Sequence, residues 1–204
     1  MNEYDSKARF FDEQAPQWQR GEFDDDSLDV ARWIVRRAGV APGMRIVEPG
    51  CGAGRMSALL SEAVGPTGCV IAADLSGGMI AAARHNVTAA NVDFRHCAAE
   101  VLQLPEKSVD IVFCFDVFPH FENPGRALDL FRGWLTDDGI LIIAHQPGRH
   151  VVNAIHKGAG RAIGADCLPD ATAMRQLLSN HAFNVEYLTD RPERYFLKAT
   201  PLRP

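Results

Sequence analysis

An acidic residue and three alternating glycines, followed by an aspartate further along the chain, are well suited to binding a nucleotide-like ligand. The pattern is Glu-x-Gly-x-Gly-x-Gly over residues 48–54, and it ends a short apolar stretch predicted to be a strand. Glycines lack a Cβ, so the backbone here can turn tightly and approach a ligand closely. A second buried-type strand ends in Asp74, twenty residues past Gly54. A carboxylate at that place suits the two hydroxyl donors of a ribose.

The glycine spacing indicates which class of cofactor is bound. A dinucleotide fingerprint needs Gly-x-Gly-x-x-Gly. Counted from Gly50, its third glycine would fall at position 55, where this chain has Arg55. The spacing therefore counts against a nicotinamide-dependent oxidoreductase, which stays open as the less favoured alternative.

Strands and helices alternate along the middle of the chain. Strands are predicted over 45–48, 69–74, 92–96, 109–115 and 140–145, and helices over 54–63, 77–89 and 124–135. Such alternation, with nearly continuous apolar strands, predicts an α/β fold with a doubly wound, mostly parallel sheet. A helix over 172–181 then precedes strands over 183–189 and 194–200, which predict a final antiparallel hairpin.

With these later segments, the glycine motif and Asp74 resemble the class I S-adenosylmethionine-dependent methyltransferases, whose fold is Rossmann-like. The resemblance is closest to the small-molecule branch that includes the quinone-biosynthesis C-methyltransferases. It covers residues 40–146 well and continues more weakly to the end. The other segments that carry it are 4–18, with Phe-Phe-Asp-x-x-Ala-x-x-Trp from Phe10, and 94–105, 110–121 and 135–141.

The resemblance implies S-adenosylmethionine as the cofactor, with S-adenosylhomocysteine as the product. The glycine loop would hold its amino-acid end, Asp74 the ribose, residues 98–100 the adenine, and residues 115–117 the methyl-bearing side. The cofactor-binding residues predicted in this way are Glu48, Gly50, Cys51, Gly52, Gly54, Asp74, Leu75, Met79, Ala98, Ala99, Glu100, Phe115, Asp116 and Val117. Four of them have a structural alternative: Asp74 as a strand-end or N-cap carboxylate, Met79 as a core residue, and Ala98 and Ala99 as simple packing at the end of a strand.

The chain departs from the family pattern at Ala98. The family usually has an aspartate there, which accepts a hydrogen bond from the adenine amino group. An alanine side chain cannot accept one. The backbone of Ala98 and Ala99, or the carboxylate of Glu100, could substitute.

Two histidines are candidate general bases, because both follow strands at the edge of the sheet where ligands bind in open α/β folds. They are His120, after the fourth strand, and His145, after the fifth. A histidine pKa lies near operating pH, which suits a base that takes a substrate proton. The alternative for each is a hydrogen bond to its own loop. His150 and His156 are weaker candidates for the base. The spacings from His145 to His150 and from His150 to His156 are five and six residues, which are not those of helical metal ligands, so no metal site is expected.

Composition excludes several other classes of protein. The net charge is −5 and no run of lysine or arginine occurs, so neither nucleic acid nor an anionic membrane surface is an expected partner. No apolar stretch approaches the ~20 residues of a membrane span, and the first residues have neither the basic nor the apolar region of a signal peptide, so neither feature is expected. The five cysteines form no C-x-x-C pair, which fits a reducing cytoplasm. The acidic run at 24–27 is interpreted as the N-cap and the acidic first turn of a helix over 28–38, rather than as a metal site.

The sequence therefore predicts one domain over 1–204, acting as a monomer or homodimer. Residues 1–38 would form a helical segment covering the acceptor pocket, and residues 146–170, with four glycines, a lid. The predicted reaction is methyl transfer from S-adenosylmethionine to a small-molecule acceptor by in-line displacement. A non-catalytic protein that binds S-adenosylmethionine or S-adenosylhomocysteine is the alternative from another functional class.

Overall fold

The computed structural model describes the backbone of residues 3–18, 23–160 and 162–203. The helices are α1 (Glu3–Trp18), α2 (Asp25–Ala38), α3 (Arg55–Val64), α4 (Gly77–Asn86), α5 (Pro124–Trp134), α6 (Arg149–Gly158) and α7 (Ala171–Asn180), with short 3-10 helices at Ala99–Val101 and Phe118–His120. The strands are β1 (Arg45–Pro49), β2 (Cys69–Asp74), β3 (Val92–His96), β4 (Val109–Phe115), β5 (Leu135–His145), β6 (Phe183–Arg191) and β7 (Arg194–Pro201).

The strands form a seven-stranded sheet in the order β3-β2-β1-β4-β5-β7-β6. It is mostly parallel and ends in an antiparallel hairpin, which confirms the predicted fold class. The chain divides into two compact units, Met1–Leu102 and Gln103–Pro204. The prediction of a single domain stays a prediction.

In the first unit, β1, β2 and β3 pair in parallel. Ile46 lies opposite Val70, and Asp74 lies opposite His96. Most of the apolar strand residues are buried, as expected between layers of helices. Because β1 and β2 run in the same direction, the loop that follows β1 and the acidic end of β2 meet at one edge of the sheet.

In the second unit, β4 and β5 are parallel, β7 is antiparallel to β5, and β6 is antiparallel to β7. The last two strands pair from Phe183 with Pro201 to Arg191 with Arg194. The predicted final hairpin is therefore confirmed.

The fifth strand was predicted to start at Ile140, and this is wrong. It starts at Leu135, because residues 136–139 form an irregularity within the strand instead of a separate turn. Leu135 lies opposite Val109, and the next pair is Ile140 with Ile111. Gly139 allows this irregularity, since a Cβ there would lie 2.9 Å from the side chain of Leu135.

A helix, α6, occupies much of the segment predicted as a lid. Val152 and His156 are both buried, and the i, i+4 spacing places them on one face of this helix. The sequence analysis predicts no helix here, because the four glycines of this segment favour a mobile lid. Whether residues 146–170 act as a lid stays a prediction.

Two helix ends also differ from the prediction. Helix α2 begins at Asp25 rather than at residue 28, because Asp24 is its N-cap and accepts the backbone N–H of Ser27 at 2.8 Å. The N-cap interpretation of this acidic run is thus confirmed. Helix α4 ends at Asn86 rather than at residue 89, since Val87 is already extended. Within the described ranges, no helix is long and apolar enough to cross a membrane.

Candidate active site

The glycine loop between β1 and α3 is folded back onto the end of β2. Gly50, Gly52 and Gly54 have φ angles of +74°, +53° and +85°, a region that favours glycine. The backbone N–H groups of Gly50 and Cys51 both donate to the carbonyl of Ala73, at 2.7 and 3.0 Å. The side of Gly52 is open, because a Cβ built there would meet no described heavy atom within 4 Å. The loop therefore offers a ligand an unobstructed backbone surface.

Asp74 fixes this loop from the end of β2. Its Oδ2 accepts the N–H of Gly52 at 2.8 Å, and its Oδ1 accepts the N–H of Ser76 at 2.9 Å. Burial raises the pKa of Asp74, while these two hydrogen bonds oppose the rise. The N-cap of α4 is Ser76, whose hydroxyl accepts the N–H of Met79 at 3.0 Å. Of the two structural alternatives for Asp74, the strand end is therefore correct and the N-cap is not.

Glu48 lies buried beneath the loop. The hydroxyl of Ser57, on α3, donates to its Oε2 at 2.5 Å. Burial, with a smaller contribution from nearby Asp74, raises the pKa of Glu48 to about 8 against the opposing effect of the hydrogen bond from Ser57. Glu48 is thus largely protonated at neutral pH. Burial also raises the pKa of the Cys51 thiol, so this cysteine stays protonated and is not an activated nucleophile.

The N-terminal helix packs beside the same loop. Asp12 on α1 accepts the hydroxyl of Ser76 at 2.5 Å and the N–H of Gly78 at 3.0 Å through its Oδ1. The hydrogen bond from Ser76 lowers the pKa of Asp12. Met79 is buried in an apolar cluster whose other members are Phe11, Ala15, Ala53 and Ala82. The burial of Met79 favours the alternative that it is a core residue. Contact of its side chain with the adenine stays a prediction.

The segment predicted to hold adenine ends in a short 3-10 helix, Ala99–Val101. Ala98 is its N-cap residue, with an extended backbone and no side-chain cap. Glu100 is buried, and its Oε1 has no hydrogen-bond partner within the described part of the chain. The backbone carbonyl oxygen of Leu75 lies 3.1 Å from Nε2 of His96. A buried acceptor without a partner, such as this oxygen of Glu100, is suited to accept a hydrogen bond from a donor group of a ligand.

In the second unit, Asp116 ties together the ends of β4 and β5. Its φ is +54°, which is uncommon for a residue other than glycine and is a form of strain found at functional sites. Its backbone N–H donates to Ala144 at 2.9 Å, and its Oδ1 accepts the N–H of Gln146 at 2.7 Å. Phe115 before it is buried, and Val117 after it is half-buried.

His120 belongs to a cluster of ionisable groups. Its Nδ1 lies 2.8 Å from Oδ2 of Asp166, and its ring centroid lies 4.6 Å from that of His156. The Nδ1 of His156 contacts the backbone carbonyl of Asp166 at 2.7 Å. The geometry therefore joins His120 with His156, one of the two weaker candidates, through a residue that the sequence analysis did not identify.

His145 is 1% exposed, and its Nδ1 lies 3.5 Å from Oδ1 of Asp116. Burial, together with a smaller effect of nearby His120 and His156, lowers the pKa of His145 to about 3. The ring is thus neutral at physiological pH, and its edge-to-face neighbour is Tyr195 at 6.2 Å. His150, in contrast, is exposed. No group of three or more potential metal ligands occurs in the described part of the chain.

Sequence reasoning missed three polar partners of the candidate residues: Ser57, Asp12 and Asp166. Asp12 is part of the motif that begins at Phe10, but the sequence predicts no role for it. Ser57 is nine residues from Glu48 and Asp166 is 46 residues from His120. No local spacing signals contacts over such separations. The roles of all the predicted cofactor-binding and catalytic residues stay predictions.

Comparison with known proteins gives consistent matches. A family model described as a methyltransferase domain matches residues 47–143. The ubiquinone/menaquinone biosynthesis C-methyltransferase UbiE of Xanthomonas campestris pv. campestris is 36% identical over 85 residues, which are 40% of this chain and 34% of that protein. UbiE of Ectopseudomonas mendocina is 33% identical over 178 residues, 82% of this chain and 67% of that protein. The aligned part thus spans about a third of the Xanthomonas relative.

Among solved structures, an S-adenosylmethionine-dependent methyltransferase from Aquifex aeolicus is similar along almost its whole length. The match covers 94% of this chain and 98% of that chain, with a TM-score of 0.76 and 18% sequence identity. At this identity the likeness concerns the fold.

Proposed function

Because this chain belongs to the class I S-adenosylmethionine-dependent methyltransferases, we propose that it transfers a methyl group from S-adenosylmethionine to a small-molecule acceptor. The observation that carries the proposal is the glycine loop, which is held open at Gly52 by the carboxylate of Asp74. When bound, the cofactor would supply an activated methyl group on a positively charged sulfur. The protein must then orient the reactants and exclude water.

The residues of the first unit fit this cofactor. Asp74 uses one acceptor position on each oxygen for the protein, and a carboxylate has about four in all, so it can also accept from the ribose hydroxyls. The loop carbonyls of Cys51 and Ala53 each accept one hydrogen bond within the protein and have a second acceptor position, so they are suitable acceptors for the cationic amino group. Glu100 supplies an orphaned oxygen for the adenine amino group in place of the missing carboxylate at Ala98.

Residues of the second unit are proposed to serve the acceptor. Phe115, Asp116 and Val117 would line the methyl-bearing side, and His120 is favoured over His145 as the base. A base must take up a proton near operating pH, and a pKa of about 3 makes His145 poorly suited to this task. We keep residues 1–38 and 146–170 as proposed covers of the acceptor.

The names of the relatives support a finer proposal. Both are C-methyltransferases of quinone biosynthesis, which favours a carbon atom of a small aromatic molecule as the methyl acceptor. An acidic net charge of −5 supports a small-molecule acceptor over a nucleic acid. A cytoplasmic location and a monomeric or homodimeric state are likewise proposals.

The test is calorimetric titration of the purified protein with S-adenosylmethionine, S-adenosylhomocysteine and a nicotinamide dinucleotide. We expect both sulfur nucleosides to bind and to raise the melting temperature with occupancy. Binding of the dinucleotide alone would overturn the proposal in favour of an oxidoreductase. Binding of the nucleosides without methylation of any acceptor in a broad panel would favour the non-catalytic alternative.

A further inference from the structure

We propose that Arg55 binds the carboxylate of the cofactor's amino-acid part and makes the protein selective for ligands that carry this group. The proposal rests on the proposed function and deepens it, because it assigns the anionic end of the cofactor to a named side chain. Arg55 directly follows Gly54 of the glycine loop and is the first residue of α3. Its side chain is exposed.

An arginine is an unfavourable residue for the first position of a helix. The amino end of a helix is positively polarised and its first N–H groups have no partner within the helix, so acidic residues are favoured there. In α3 the N-cap is Gly54, which offers no side-chain acceptor, and the first turn contains no acidic residue. Positive charge therefore accumulates at this end of α3, next to the glycine loop. A residue that breaks a local rule in this way is a candidate for a functional role.

The protein does not neutralise this charge with an ion pair. In the part of the chain that the structure describes, the arginines that pair with a carboxylate do not include Arg55. The nearest acidic group that it influences is Asp24. The pKa of Asp24 is lowered mainly by hydrogen bonds from Ser27 and only slightly by Arg55, since its carboxylate serves as the cap of α2. The guanidinium of Arg55 is therefore available to an anionic group of a ligand.

An aromatic contact orients the side chain of Arg55. Its Cζ lies over the ring of Phe23, 4.7 Å from the ring centroid. A guanidinium has five N–H donors, and contact with a ring leaves those that point away from the ring available for hydrogen bonds. The Cα–Cβ bond of a helical residue is tilted toward the amino end of the helix, which for α3 is the side of the glycine loop. Phe23 thus holds the cation beside the loop without using its hydrogen-bonding capacity.

Helix α6 shows how a carboxylate is accommodated at a helix start of the same kind. It also begins with a glycine N-cap followed by an arginine, Gly148 and Arg149. There the carboxylate of Asp190 accepts the backbone N–H of Arg149 at 3.0 Å and lies 3.4 Å from its Nε. One carboxylate thus serves both the helix end and the side chain. At α3 no described side chain takes this place, and the carboxylate of the cofactor, its one anionic group, has the matching chemistry.

Calorimetric titration with a matched pair of ligands tests the assignment. S-adenosylhomocysteine is compared with its decarboxylated analogue, S-adenosyl-3-thiopropylamine, which keeps the nucleoside and the amino group. We expect the native protein to bind S-adenosylhomocysteine roughly tenfold more tightly than the analogue, and Arg55→Met to lose most of this preference. Arg55→Lys keeps the charge but loses the planar fork of donors, so it should retain part of the preference.

Arg32→Met is the matched control, because it removes the same charge from an exposed position on α2. It should keep the native preference for S-adenosylhomocysteine. The melting temperature of the free protein separates a binding role from a structural one. Arg55→Met loses the contact with Phe23 but relieves the unfavourable interaction with the helix dipole. These two effects oppose each other, so the melting temperature should change little.

The outcomes separate this inference from the proposed function. A native protein that binds no S-adenosylhomocysteine would overturn both. Equal binding of the two ligands by the native protein, or a full preference in Arg55→Met, would overturn the role of Arg55 alone. A preference that Arg32→Met also loses would be an effect of net charge and would overturn it as well. If Arg55→Met melts below the temperature of the titration, Arg55→Lys decides, and an unchanged preference in that variant overturns the role.

Discussion

The carboxylate of Asp74 accepts the backbone N–H of Gly52 at 2.8 Å, across 22 residues of sequence. This bond links the end of β2 to the loop after β1. The same carboxylate also holds Ser76 at the start of α4. Asp74 therefore positions the glycine loop and offers acceptors to a ligand at the same time, so changes at the two residues have separable effects.

Gly52→Ala should weaken cofactor binding for a steric reason. A Cβ at Gly52 meets no described protein atom within 4 Å, so it would intrude only on a ligand. The positive φ of +53° adds a backbone cost of about 1–2 kcal/mol in stability. Calorimetry with S-adenosylhomocysteine should show at least a roughly tenfold loss of affinity, about 1.4 kcal/mol.

Gly39→Ala is the matched control. Gly39 has a φ of +81° and similarly open surroundings, but it ends α2. Its alanine variant should lose comparable stability by thermal melting and keep full affinity. Equal affinity losses in the two variants would mean that backbone strain, and not a clash with the ligand, weakens binding.

Asp74→Ala should weaken the binding of S-adenosylhomocysteine more than it destabilises the fold. Hydrogen bonds to a charged group contribute about 1.5–3 kcal/mol, which corresponds to roughly 10–100-fold in Kd. The loss of stability should be smaller, because removing the carboxylate also removes a buried charge whose pKa burial has raised. Asp93→Ala, at an exposed ion pair on β3, should change neither quantity. A sharp fall in melting temperature with intact affinity would assign Asp74 to the fold alone.

Glu48 should make the protein less stable as the pH rises. Its folded pKa of about 8 lies above the ordinary value of 4.5, so the folded state binds more protons between these two values. The free energy of unfolding then falls by up to about 1.4 kcal/mol per pH unit up to pH 8, and levels off above it. Urea unfolding from pH 6.5 to 8.5 should show this slope in the native protein and lose it in Glu48→Gln.

The control for this slope is Glu62→Gln, at an exposed position on the same helix as Ser57. It should keep the slope of the native protein. If Glu48→Gln also keeps the slope, the carboxyl of Glu48 ionises with its ordinary pKa. Contacts other than the hydrogen bond from Ser57 would then offset the effect of burial on this pKa.

The sequence predicted the sheet, the glycine loop and the place of Asp74, because these depend on local periodicity and on turn residues that only glycine satisfies. It placed the start of β5 wrongly, since the bulge at residues 136–139 depends on pairing with β4. It missed α6 and Asp166, because their roles arise from contacts between segments far apart in sequence. Polar partnerships of this kind leave no period in the chain.

Glu100 should contribute to recognition of the adenine. Its Oε1 is buried without a partner in the described part of the chain, although Ala98 lacks the usual carboxylate. If the adenine amino group donates to this oxygen, the native protein should bind S-adenosylhomocysteine roughly 10–100-fold more tightly than the analogue without the 6-amino group. Glu100→Ala should bind both about equally by calorimetry.

The stability of the same variant distinguishes this role from a structural one. A buried acceptor without a partner does not stabilise the free protein. The melting temperature of Glu100→Ala should therefore fall only by the amount that the lost packing of the side chain causes. Glu100→Gln keeps an oxygen acceptor and should retain part of the preference for the amino group, whereas Glu106→Ala, at an exposed site, should retain all of it. A preference that survives in Glu100→Ala would instead assign the amino group to the backbone of Ala98 and Ala99, the remaining acceptors of this segment.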